Sequence, residues 1–169
     1  MHSYAELAKK TVEEFITTGT PPSLSGEAPP DMQQKAGVFV CLKSCGQLRG
    51  CVGTFLPATG SIYHEIMRNA VAAAVEDSRF QPVRPHELTG LSYTVDVLSP
   101  PEEVADLSEL DPKKYGIIVA KGQKKGLLLP DLDGVDTVES QVRITKMKAG
   151  IDPQETDVEI YRFTVSRYK

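Results

Sequence analysis

The chain has 169 residues, 40% of them hydrophobic and 25% charged, with a formal net charge of −4, which is globular composition at the length of one ordinary domain. No apolar run approaches the roughly 20 residues that cross a bilayer, and the polar opening MHSYAELAKK lacks an apolar signal core. The acidic balance argues against a general nucleic-acid binder, which needs a basic surface to displace counterions, so a cytoplasmic protein without membrane or nucleic-acid partners is expected.

The first element is a helix, with Ser3 as its cap, Glu6 completing a capping box and Gly19 in the C′ position. Leu7, Val12, Phe15 and Ile16 fall near one face and predict contact with the core. The stretch GTPPSLSGEAPP that follows must be an extended loop, because its prolines lack donors and restrict their neighbours; residues 19–31 are read as this loop. Gly37–Phe55 predicts a β-hairpin, with Ser44–Gln47 carrying the turn and Pro57 and Gly60 ending it. An alanine-rich helix is expected from about Ile62 to Glu76, then a loop with two prolines, DSRFQPVRPHEL.

Leu91–Leu98 alternates cleanly, with Leu91, Tyr93, Val95 and Val97 on one face and Ser92, Thr94 and Asp96 on the other, which predicts a half-buried strand. Tyr115–Ala120 and Gly126–Leu129 form a hairpin across KGQKK. A third helix spans about Thr137 to Ala149, with Gly150 behind it, and one closing strand covers about Val158–Tyr168. Hairpin connections with three main helices imply an α+β fold with a largely antiparallel or mixed sheet. The whole of 1–169 is read as a single domain.

The densest chemistry is LRGCVG, Leu48–Gly53. On a strand Arg49 and Cys51 share a face, and a cation beside a thiol raises its thiolate fraction. Cys51 is therefore either a nucleophile or, as most unpaired cysteines are, a small packed residue. Gly50 and Gly53 permit close backbone approach, so the motif equally suits tight packing against the alanine-rich helix. Three cysteines (Cys41, Cys45, Cys51) without an export signal predict reduced thiols rather than a disulfide framework. Their C-x3-C-x5-C spacing fits no common zinc or iron–sulfur pattern, and no metal or cofactor is expected. Of the histidines, His2 lies at the chain end, His64 is expected to be exposed, and His86 is the one candidate base, with nothing in the spacing to bring it to Cys51.

DSRF, Asp77–Phe80, is the second candidate. Asp77 can cap a helix end or turn with Arg79 bridging it to the sheet; the alternative is a carboxylate–guanidinium pair that receives an anion. KGQKKG lacks the context of a phosphate loop and reads as a hairpin tip. Charge is uneven, with 8 Lys/Arg and 15 Asp/Glu in residues 1–112, net −7, and 11 and 8 in 113–169, net +3. Ordinary solvated faces, or a local anion or partner site, account for that.

LRGCVGTF at Leu48–Phe55, DSRF at Asp77–Phe80 with Glu87-Leu88 after it, GLLLPDLDGVDT at Gly126–Thr137, KAG at Lys148–Gly150 and the closing YRFTVSRY resemble the AMMECR domain in order and interval, over nearly the whole chain. The resemblance implies an α+β fold with a larger and a smaller lobe, the LRGC segment near the cleft between them, and no established reaction. It implies a bacterial stand-alone form of the kind associated with Memo-type proteins, themselves similar to extradiol dioxygenases, and with radical S-adenosylmethionine enzymes. Arg49, Gly50, Cys51, Gly53, Asp77 and Arg79 are the residues it carries over; Cys41, Cys45 and His86 lie outside the signature. Two functions follow as expectations. One is an accessory or small-ligand-binding domain, holding an anion against Arg49 and Arg79 or working with such enzyme partners; the other is an enzyme using Cys51 as nucleophile or Arg49 with Asp77 as a substrate clamp. Oligomeric state is not legible.

Overall fold

The computed structural model describes residues 1–169. Helix α1 runs over Ser3–Thr18 and ends on Gly19, whose left-handed backbone (φ 70°) lets its N–H reach the Phe15 carbonyl. Its start corrects the expected cap: Ser3 is already helical, and His2 caps the helix by accepting the Tyr4 N–H on Nδ1. Small residues Ala5 and Ala8, with Thr11 and Val12, form its buried stripe, flanked by Leu7 and Ile16.

Strands β1 (Val38–Ser44) and β2 (Gln47–Thr54) form the expected hairpin, and β1 pairs on its other side with β3 (Leu91–Leu98); both pairings are antiparallel. The turn places Cys45 and Gly46 at φ 49° and 78°, the double left-handed geometry that matches hairpin twist. With β8 (Val165–Tyr168) the first sheet has the order β2-β1-β3-β8. Val38, Val40 and Leu42 point to one face beside Tyr93 and Val95 of β3, and helix α2 (Ile62–Val75) covers that face with Ile62, Ile66, Ala70, Ala73 and Ala74. The opposite face of β3 is not a simple solvated one, because Asp96 is buried and bound twice by Arg167 of β8, at 2.8 and 2.7 Å.

The second sheet has the order β4-β7-β5-β6, built from β4 (Glu102–Glu103), β5 (Gly116–Lys121), β6 (Lys124–Leu128) and β7 (Glu159–Phe163). Its pairings are antiparallel. Helix α3 (Val138–Ala149) is capped by Thr137 and ends on left-handed Gly150. Ile117 and Val119 of β5, Val142 of α3, Leu110 and Ile151 make the core here.

The α+β expectation therefore holds, as two four-stranded sheets. The chain groups into two units, one of Met1–Leu98 with Ser166–Lys169 and the other of Ser99–Val165. The expected single closing strand is two: β7 joins the second sheet and β8 the first, with Thr164 between them. Period-two alternation runs through such a junction unbroken, so the pattern alone cannot reveal that the strand changes sheets. Short 3-10 turns at Pro30–Met32 and Pro85–Gly90 lie in or beside segments expected as loops, and a third occupies Leu107–Glu109.

Candidate functional site

The LRGCVG segment forms most of β2, the edge strand of the first sheet. Gly50 lies directly under α2: a Cβ built on it would sit 2.0 Å from the Ala73 carbonyl oxygen. Any side chain there would have to push backbone away, so the alanine-rich helix and this glycine are one packing device. At Gly53 a Cβ would meet the ring of Phe39, its cross-strand partner, at 2.3 Å. The two glycines thus serve opposite faces of β2, one admitting a helix and the other an aromatic ring.

A bulge opposite Leu42 and Lys43 sets the register. Gly50 pairs with Leu42 and Leu48 with Lys43, leaving Arg49 as the extra residue. This one-residue shift brings Cys51 directly opposite Cys41, and the two are joined by a disulfide. The expectation of three reduced thiols is corrected accordingly: Cys45 alone is free, and it is exposed in the turn. Residue counting from the turn, without the bulge, would pair Cys41 with Gly50, so the spacing conceals the pair.

Arg49 does not stand beside a thiolate. Its Nε and Nη2 donate to the two carboxylate oxygens of Glu87 at 2.7 and 3.0 Å, a bidentate pair with side chains only 16% and 25% exposed. The guanidinium bond, opposed by burial and aided by the Arg84 N–H, holds the Glu87 carboxyl below its ordinary pKa. Nη1 of Arg49 is buried without a protein partner.

Asp77 and Arg79 form the second cluster. Arg79 Nε and Nη2 bind the Asp77 carboxylate at 3.0 and 2.7 Å, and the Arg79 N–H adds a further bond at 3.1 Å. The same carboxylate accepts the Cys51 N–H at 2.9 Å, while Arg79 Nη2 donates to the Cys51 carbonyl at 3.3 Å. An edge strand's outward N–H and C=O are thus both satisfied by one short turn, which closes the edge to further pairing at that point. The Arg79 guanidinium, outweighing desolvation and helped by the Cys51 amide, keeps the Asp77 carboxyl well below the usual carboxylate range.

A third acid, this one fully buried, completes the strand's surroundings. Glu65 of α2 is fully buried, and accepts the Thr54 hydroxyl (2.6 Å), the N–H groups of Ala58 and Thr59, and the Thr59 hydroxyl. Burial disfavours its charge, but these donors prevail and its carboxyl is held below the ordinary value. His64 is half-buried rather than exposed: Nε2 meets the Gly26 carbonyl and Nδ1 the Ser61 hydroxyl, both at 2.8 Å, which ties the Pro/Gly-rich loop to α2. His86 is exposed in the 3-10 turn, and no bond joins it to either cysteine.

Of the six signature residues, the structure brings Cys51, Asp77 and Arg79 into one bonded cluster, and places Arg49 in a separate one with Glu87. Gly50 faces α2 and Gly53 faces Phe39. Glu87 and Cys41 are the partners that sequence reasoning did not connect to the motif, whereas the packing of Gly50 on the alanine-rich helix is the expected one. No group of three or more His, Cys, Asp or Glu side chains is placed to hold a metal ion, and no helix is long and apolar enough to cross a membrane.

Two antiparallel sheets, each covered by a helix, with a glycine-bracketed edge strand stapled by an acid–arginine turn, define an α+β protein of a particular kind. The AMMECR1 family model matches residues 5–168, so the chain belongs to that family. It is 53% identical to a Thermotoga maritima protein over 99% of this chain and 98% of the relative, and 48% identical to a Clostridium acetobutylicum protein. The latter match covers 98% of this chain but 36% of the Clostridium protein. The crystal structure of an uncharacterised protein from Pyrococcus horikoshii superimposes with a TM-score of 0.86 at 32% identity, covering 97% of this chain and 88% of that one.

Proposed function

We propose that the protein is an accessory module that presents a rigid surface to an enzyme partner, of Memo type or of the radical S-adenosylmethionine type. The carrying observation is that both arginines of the site already hold a carboxylate: Arg49 binds Glu87 and Arg79 binds Asp77, each through Nε and Nη2, so the paired donor edge that would clamp an anion is occupied in both. What this bonding leaves outward along β2 is Leu48 at 39% exposure, the Arg79 side chain at 55%, and Leu56 just beyond the strand at 49%. Exposed apolar residues and a fixed arginine on the same edge segment suit a protein partner, since interfaces favour arginine and apolar anchors. The Clostridium relative supports the same reading, because there the matching region is one part of a longer chain.

The test is analytical ultracentrifugation of the protein with each candidate partner from the same genome at micromolar concentration. A complex that Leu48→Asp weakens is expected. No association with either partner would sink the proposal.

An enzymatic reading keeps one observation in its favour, the pairing of signature Cys51 with Cys41. In that reading an external thiol reduces the disulfide and frees Cys51 as nucleophile. Peptide-resolved alkylation of the reduced protein against pH separates the two. A Cys51 thiolate forming well below the reference pKa of about 8.5 would favour the enzyme, and ordinary titration would favour the module.

A further inference from the structure

The second unit carries a buried cation that the signature does not explain. Lys146 of α3 is only 9% exposed. Its Nζ donates to the backbone carbonyls of Glu155 (2.7 Å) and Pro153 (3.3 Å), and it forms no ion pair. The nearby carboxylates are engaged elsewhere: Glu155 pairs with Lys121, and Asp106 accepts the Ser108 N–H at 2.8 Å. An ammonium has three donors; the two carbonyls engage two of them and leave one for a further acceptor.

Lys146 lines a cavity of about 290 Å³ inside this unit. Val142, one helical turn before it, shares its face of α3, and Val104, Val158 and Ile160 contribute further apolar wall, with Leu107 and Asp106 also lining it. Leu107 is 48% exposed, an apolar side chain bordering solvent. The pocket is half-open, and its wall combines these aliphatic side chains with Thr156, the exposed Asp106 carboxylate and one buried cation, so a ligand with an apolar body and a polar head finds both kinds of contact there.

We propose that this cavity binds a small monocarboxylate with an apolar body, its carboxylate accepting the third N–H of Lys146 and its hydrocarbon lying against Val142, Val158 and Ile160. One ammonium donor suits a singly charged headgroup; a phosphate dianion needs several donors converging on it, and the cavity lining offers no second basic side chain. The site is independent of the β2 cluster, and its failure would leave the accessory reading untouched.

The experiment is a titration of the full chain with hexanoate, followed by the methyl resonances of Val142, Val158 and Ile160, with hexan-1-ol as the uncharged analogue. Saturable shifts are expected with hexanoate, with the alcohol about tenfold weaker or more, as loss of a charged hydrogen bond implies. Lys146→Met, which keeps the apolar stem, should erase that preference. Equal binding of acid and alcohol, unmoved methyls, or a preference that survives in Lys146→Met would overturn the proposal. If Lys146→Met does not fold, the acid-against-alcohol comparison on the unaltered protein decides alone.

Discussion

The two units are variations on one plan. Each lays a helix on a four-stranded sheet, and each uses a glycine on an edge strand to bring that helix close: Gly50 under Ala73 in the first, Gly126 under Thr145 in the second. Each also covers a glycine with the phenylalanine paired across from it, Phe39 over Gly53 and Phe163 over Gly116. They differ in how the edge is finished. β2 is closed by the Asp77 carboxylate, its arginine and a disulfide, whereas at β6 the exposed Lys148 of α3 donates to the Leu127 carbonyl at 2.7 Å. The LRGCVG segment therefore lies on the edge that more bonds hold in place.

The largest test of this contrast is steric. Gly50→Val should destabilise the first unit by about 3 kcal/mol or more, since the intruding atom meets backbone that cannot swing away. Gly126→Ala should cost less, because its nearest contact is 2.5 Å rather than 2.0 Å. Hydrogen exchange read unit by unit is the right measurement, since one global transition need not describe two units. A Gly126 substitution that costs more than the Gly50 one would refute the ranking.

Reduction of Cys41–Cys51 comes next, at about 2 kcal/mol for a short closed loop. Protection should fall in β1 and β2 and hold in β5 and β6. Uniform loss in both sheets would mean that the staple is not local.

Asp77→Asn removes the charge from a carboxylate that accepts from Cys51 and Arg79, and should cost about 1 to 3 kcal/mol. Lys148→Met, which removes the α3 side chain bonded to β6, should stay within about 0.5 kcal/mol. The Cys51 amide is the reporter, and unchanged exchange there in Asp77→Asn would break the argument.

The smallest effect is pH dependence. Glu65, Asp77 and Glu87 all have carboxyl groups held below their ordinary values, so their charged forms stabilise the first unit. That contribution is complete above the unfolded carboxyl pKa of about 4 and disappears as pH falls through the lower folded values. Acid should therefore loosen β2 before β6. Equal acid sensitivity of the two sheets would count against it.

Much of this was legible in sequence. The hairpin at Gly37–Phe55, α2, β3, the KGQKK hairpin and α3 follow from alternation, helical periodicity and turn residues, and Gly50's close approach to an alanine-rich helix follows from residue size. The bulge at Arg49 was not legible, because one extra residue leaves composition and alternation nearly unchanged while moving every later partner by one. Cys41 and Glu87 were missed as partners for that reason and because a pair 38 positions apart needs the fold to meet. The division of the last strand was missed because neither β7 nor β8 announces which sheet it will join.

That division has a temporal consequence. β8 completes the first sheet at the flank of β3, yet the entire second unit lies between them in the chain. During translation β3 must wait on the order of several seconds for its neighbour, at ordinary ribosomal rates. Throughout that interval Asp96 lacks Arg167 and one side of β3 stands open. A newborn chain is thus most vulnerable to intermolecular association after its first domain-sized portion has emerged, and a stalled ribosome near residue 165 would leave behind the species that chaperones need to shield.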